Sequence, residues 1–162
     1  MVDLFDATWE LVPGYWRHGN PGSGFGLTFT DPESDKVSQV EACCSTFSLV
    51  YSNRHFPVEA QLDAFYGKQE PSGAIRGEYS MIDGKPVITK ANPHGVQAPL
   101  FAWAEYNIYH RLGSKSRLRE VLPILERYHQ WIRATFRREN GLLSVPRQAL
   151  CMGNSPRDRI TY

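Results

Sequence analysis

Apolar residues recur at helical spacing through four stretches of this chain. Val37, Val40, Cys44, Phe47 and Tyr51 step by three and four and predict an amphipathic helix over 37–51. Asn53 and Arg54 close it, and Phe56-Pro57 opens the next, because proline's preset φ suits a first helical turn whose N–H has no partner anyway. Val58, Leu62, Phe65 and Tyr66 give that second helix a face to bury. A third starts at Pro99, carries Leu100, Trp103, Ala104, Ile108 and Leu112 on one side, and stops at Gly113, since glycine adopts the left-handed backbone freely. Ser114 caps the fourth, whose stripe of Leu118, Val121, Leu122, Leu125, Tyr128, Ile132 and Phe136 runs toward Asn140-Gly141. Pro123 falls inside that stripe and predicts a kink or a split.

Elsewhere the helical period is lost. Residues 13–36 are dense in Gly, Pro, Asn and Ser and read as loop with a short FGLTFT strand. After the turn Glu70-Pro71-Ser72-Gly73, AIRGEY and MIDGKPVITK place Asp83-Gly84 between two β-prone runs and predict a β-hairpin. The expected order is therefore loop, helix, helix, β-hairpin, helix, helix, loop.

Composition narrows the chemistry. With 18 basic and 17 acidic residues the net charge is +1, so no cationic field holds nucleic acid or an anionic membrane. No apolar run approaches the ~20 residues of a spanning helix. The N-terminal MVDLFDATWE is acidic where a secretory leader is basic and then apolar, which makes the cytoplasm the expected compartment. Three cysteines, two of them the neighbours Cys43 and Cys44, form neither a disulfide framework nor a paired zinc motif. The five histidines show no HxH or HExxH spacing, so no metal and no cofactor is expected. GSGFG is not followed by a P-loop lysine, and no serine or cysteine sits in a nucleophile elbow. Four Trp, eight Tyr and eight Phe suit a cleft in which sugar faces stack on rings, although ordinary core accounts for most such residues.

Four spaced motifs then point one way. FPVEAQLDAFYGKQEPSGAIRGEY, VQAPLFAWAEYNIY, the long fourth helix and the closing CMGNSPR resemble, in that order, segments of trehalase and glycoside hydrolase family 63 enzymes. The resemblance covers roughly residues 37–157. It implies a mostly α fold, a partial (α/α)6 toroid of helical hairpins with a small β-hairpin insertion. Residues 1–162 would form a single partial domain, with 1–36 a loop-rich N-terminal segment and 37–157 the hairpins and active-site rim. The implied reaction is inverting hydrolysis of a small α-glucoside or α-mannoside. In such enzymes one carboxyl protonates the leaving oxygen and a second, about 6.5–9.5 Å away, activates water.

The same likeness implies saccharide contacts at Glu41, Arg76, Glu78, Gln97, Trp103, Asn154 and Arg157. Glu41 stands where the family carries a Trp-Asp pair. Glu78 matches the glutamate of an Arg-Glu loop, with Arg76 two residues earlier, an arrangement that equally suits a structural Arg76–Glu78 pair. Gln97 precedes a helix start, and Trp103 either lines the cleft or packs in the core. The family's general-acid aspartate is Gly153 here, and the base would lie on a later hairpin, so the isolated chain is expected to be inactive. The alternative is a sugar-binding or scaffolding half-toroid without turnover. A small saccharide is the expected partner, and a homodimer or further C-terminal hairpins would cover the faces of a cut ring.

Overall fold

Small side chains set the centre of the molecule. In the computed structural model, which describes residues 2–150, helix α2 (Gln39–Leu49) buries Ala42, Cys43, Ser45, Thr46 and Leu49. That slim face lets α3 (Val58–Tyr66) and α4 (Phe101–Leu112) both pack against it. The polar members of the face are satisfied locally: Ser45 Oγ donates to the Ala42 carbonyl at 2.9 Å and Thr46 Oγ1 to that of Cys43 at 2.6 Å. From α3, buried Gln61 donates to the Ala42 carbonyl and to Ser45 Oγ. Helix α5 (Lys115–Phe136) lies against α4.

The expected stripe of this central helix is out of phase. Cys44 is exposed, Phe47 only half-buried and Tyr51 64% exposed, because the face toward α3 and α4 is the slim one of Ala42, Cys43, Ser45 and Thr46 instead. The third and fourth helices follow the pattern more closely. Gly113 ends α4 at φ +71°, and Ser114 Oγ accepts the Arg117 N–H at 3.3 Å to start α5. Pro123 sits inside α5 without splitting it, on the exposed side, where the carbonyl it leaves unpaired can meet water. Trp103 is 49% exposed and belongs to the outer side of α4.

Strands are short. β1 (Trp16–His18) pairs antiparallel with β2 (Leu27–Phe29), and β3 (Lys36–Ser38) pairs antiparallel with β4 (Glu78–Ser80), with Val37 opposite Tyr79. The expected hairpin around Asp83-Gly84 survives as a turn with one bridge, Tyr79 to Pro86, because β4 gives its main ladder to β3 instead. The N-terminal segment also departs from the loop expected of it: Val2–Leu11 forms helix α1, whose Trp9 stacks on Phe56.

The toroid expectation is corrected by this arrangement. The described residues form five α-helices and two separate two-stranded antiparallel sheets around one shared core. Hairpins of a ring pass apolar faces from neighbour to neighbour along an arc. Here α2 is enclosed by α3 and α4, and the β3–β4 ladder ties the residues before α2 to those after α3. The mostly helical character stands, and no toroid is seen. No helix among the described residues is long and apolar enough to cross a membrane.

Candidate functional site

The β3–β4 ladder delivers Glu78 to the rim of a small cavity of mixed polar and apolar lining. Its neighbour Gly77 is buried because the chain passes beside Gln97: the Gly77 N–H donates to the Gly95 carbonyl at 2.6 Å, and its own carbonyl accepts the Gln39 N–H at 2.7 Å. A Cβ at Gly77 would stand 2.4 Å from Gln97 Cγ and 2.8 Å from the Gln97 backbone nitrogen, so only glycine fits there. Gln97 is 8% exposed, and both ends of its amide are hydrogen-bonded. Its Oε1 accepts from Ser38 Oγ at 3.1 Å and from the Val40 N–H at 3.3 Å, which fixes the amide so that Nε2 donates to Glu78 Oε1 at 3.1 Å. The hydrogen bond from Gln97 reaches Oε1 only, and no hydrogen bond or ion pair to the second Glu78 oxygen occurs among the described residues.

Glu78, Val87, Thr89, Asn92, Gly95, Gln97 and Gln148 line the cavity, of about 170 Å³. Asn92 shapes one wall: its Nδ2 donates to the Val96 carbonyl at 2.8 Å and its Oδ1 accepts the Val96 N–H at 3.2 Å, closing the 92–96 loop on itself. One carboxylate, three amides and a hydroxyl thus face a space too small for a drug-sized ligand, which occupies ~300–1,000 Å³. No aromatic ring lines it. The arrangement suits hydroxyl groups, each of which both donates and accepts.

Glu41 stands beside this group and outside the lining. Its carboxyl accepts from Thr30 Oγ1 at 3.5 Å. Burial of its inner side raises its pKa above the ordinary 4.5, against the pull of the Thr30 hydrogen bond, and the charges of Asp31 and Glu78 push it the same way. Because the folded value exceeds the unfolded one, ionisation of Glu41 opposes folding above that value. The Glu41→Gln variant is therefore expected to be more stable than the parent at neutral pH and to lose that advantage as pH falls through the carboxylate range. Denaturant midpoints at pH 7 and pH 4 check the sign.

Arg76 has a different partner from the one its spacing suggests. Its guanidinium forms a two-point pair with Glu70, Nε to Oε1 and Nη2 to Oε2 both at 2.7 Å. Nη1 donates to the His94 carbonyl at 2.6 Å, and the group lies 5.5 Å from the centre of the Trp131 ring. Arg76 thus buttresses the loop that walls the cavity. Trp103 contacts Phe47 on the outer side of α4, away from the lining. Asn154, Arg157 and the Gly153 position lie outside the described residues. Of the expected contacts, Glu78 and Gln97 line this cavity; Ser38, Gly77, Thr89, Asn92 and Gln148, which shape or line it, were not among those expected, and the turn signal Asn92-Pro93 is the one pointer to that wall in the sequence.

No group of three metal-ligating His, Cys, Asp or Glu side chains occurs among the described residues. No known family model matches the chain, and no solved structure matches it. An uncharacterized protein of Borreliella burgdorferi (strain ATCC 35210 / DSM 4680 / CIP 102532 / B31) is 45% identical over 123 residues. The match covers 76% of this chain and 26% of that protein, so the chain spans about a quarter of the length of the curated relative it matches.

Proposed function

We propose that this chain is the saccharide-binding part of an α-glycosidase, holding one neutral sugar ring at Glu78 without hydrolysing the glycoside by itself. The observation that carries the reading is the fixed Gln97 amide that orients one Glu78 oxygen and leaves the other for ligand hydroxyls. The resemblance of the four motifs to trehalase-type and family 63 enzymes supports the sugar, and a ring-sized cavity with both polar groups and an apolar face at Val87 suits it. Hydrolysis by inversion needs two carboxyls facing each other across the sugar. Gly153 can supply no proton, so the chain alone is expected to release no sugar from α-glucosides or α-mannosides. A relative of much greater length is in keeping with a protein in which other segments complete the reaction.

Titration of the isotopically labelled chain with glucose, mannose and their methyl α-glycosides tests the assignment. Amide shifts are expected at Glu78, Thr89 and Gln97, and Gly77→Ala should erase them by displacing Gln97 while leaving helix content unchanged. Shifts confined to residues 20–30, or none at millimolar sugar, would remove the site. Sugar release that survives stringent repurification would contradict the binding-only part of the reading.

A further inference from the structure

The second wall of the 92–97 loop faces a different chemistry. On the far side of Asn92, residues Pro93 and His94 border a larger cavity of about 390 Å³ whose polar lining is His94, Thr135, Arg137, Arg138 and Ser144. No carboxylate lines it. Helix α5 ends at Phe136, and the chain then doubles back in a hydrogen-bonded turn. The Arg138 N–H donates to the Leu142 carbonyl at 2.8 Å, the Gly141 N–H to that of Arg138 at 2.9 Å, and the Ser144 N–H to that of Phe136 at 2.9 Å. Asn140 Oδ1 takes the Leu142 N–H at 3.0 Å, and Gly141 supplies the positive φ of +83° that the turn requires. This turn fixes two consecutive arginines and brings Ser144 under them, with Arg138 Nη2 donating to Ser144 Oγ at 3.4 Å. The serine hydroxyl proton is therefore free to donate. His94 is held edge-on to Phe136 at 5.2 Å between ring centres. Neither Arg137 nor Arg138 pairs with a carboxylate among the described residues, whereas Arg17, Arg76 and Arg117 all do.

The two cavities draw their walls from the same loop, 92–97. Asn92, Gly95 and Gln97 line one while Pro93 and His94 line the other, and Ser144 and Gln148 divide the same way on the opposite wall. Consecutive Cα atoms lie ~3.8 Å apart, so at Asn92 and Pro93 the two linings follow one another directly along the chain. We propose that the basic cavity receives the phosphate monoester of a phosphorylated sugar whose ring sits in the neighbouring Glu78–Gln97 cavity; the sugar half rests on the function proposed above. Donor supply favours phosphate over carboxylate. Two guanidinium forks, an imidazole and two hydroxyls offer more hydrogen bonds than two carboxylate oxygens accept, and a phosphate monoester presents three oxygens and about −1.5 to −2 charges. A carboxylate in this setting would leave donors unpaired.

Titrations of the chain with inorganic phosphate, glucose 6-phosphate, mannose 6-phosphate, glucose and glucuronate, followed by NMR, decide the matter. Inorganic phosphate is expected to shift His94, Arg138 and Ser144. A hexose phosphate should bind more tightly than phosphate or hexose alone and shift Gln97 as well. The paired variant Arg137→Gln/Arg138→Gln, whose side chains are exposed and whose fold should persist, should lose about tenfold or more in hexose-phosphate affinity, as removal of charge-assisted hydrogen bonds implies, with hexose binding unchanged. Absence of any phosphate response, an unaffected double variant, or glucuronate binding as tightly as the hexose phosphates would each overturn the proposal. A hexose response at Glu78 without one to phosphate would leave the proposed function standing and sink only this inference. A phosphate response that the hexose does not strengthen, and that Glu78→Gln leaves unaltered, would instead sink the bridging ligand together with the saccharide reading.

Discussion

Arg117→Ala is expected to lower stability by about 3–5 kcal/mol and Tm on the order of 10 °C, a large share of what a domain of this size commands. Arg117 is 12% exposed at its side chain and holds three carboxylates from two helices. Its Nη2 and Nε donate to the two oxygens of Glu105 at 2.7 and 2.8 Å, and Nη2 also meets Asp63 at 3.1 Å. Glu105 is 2% exposed and receives a further hydrogen bond from Tyr66 Oη at 2.9 Å. Burial alone would lower the guanidinium's pKa; hydrogen bonds and charge from Glu105 and Asp63 more than offset it and raise the net value. The same carboxylate, after burial, drives the Tyr66 phenol upward. Removing Arg117 strands Glu105 as an unpaired buried charge, and that penalty dominates. The combined Arg117→Met/Glu105→Leu variant should recover most of the loss, because two charges that need not be buried are gone together. Calorimetry on the three proteins separates the cases, and a single-variant loss below ~1 kcal/mol would place the pair with ordinary surface bridges.

Phe65→Ala should cost a similar ~3–5 kcal/mol for a different reason, the transfer of a buried ring and the cavity it leaves. Phe65 is 0% exposed. Its ring centre lies 5.3 Å from that of Phe25 and 5.8 Å from those of both Tyr79 and Phe101, so it joins the N-terminal segment, β4 and α4. Tyr79 in turn accepts the Arg76 N–H at 2.9 Å through its hydroxyl, and stands next to Glu78. The substitution is therefore expected to weaken sugar response at Glu78 as well as stability. Phe65→Leu, which keeps most of the volume, should cost under half as much. Denaturant unfolding with unchanged m-values would attribute the difference to packing; equal losses in the two variants would contradict the cavity account.

How much of this could be read from the chain differs by element. The start of α3, the end of α4 and the start of α5 are legible because Pro57, Gly113 and Ser114 carry local signals with a steric cause, whereas α5 ends at Phe136, five residues before Gly141. The face of α2 is not, since periodicity weights large apolar residues and this helix buries Ala42, Thr46 and Gln39. The helical N-terminus and the β3–β4 ladder were equally hidden. Strands of three residues are too short to establish an alternation, and their pairing is decided by partners far along the chain. Half of the candidate site inherits that opacity: Gln97 and Glu78 were found through the motifs around them, whereas Ser38 and Gly77 matter because of who lies opposite.

The ladder that positions Glu78 also dictates when the cavity can exist. Val37 and Tyr79 are about 40 positions apart, and joining them means closing a loop that contains both α2 and α3. Neighbouring helices rest on contacts of short range and can assemble early; strand pairing at that separation waits on them. On the ribosome, a chain emerging at ~5–20 residues per second would expose β3 for several seconds before its partner appeared. Through that interval Val37 offers an unpaired edge and an open apolar side, which makes this nascent segment a natural client for holding chaperones, and makes the placement of Glu78 a property acquired only once the strand has found its mate.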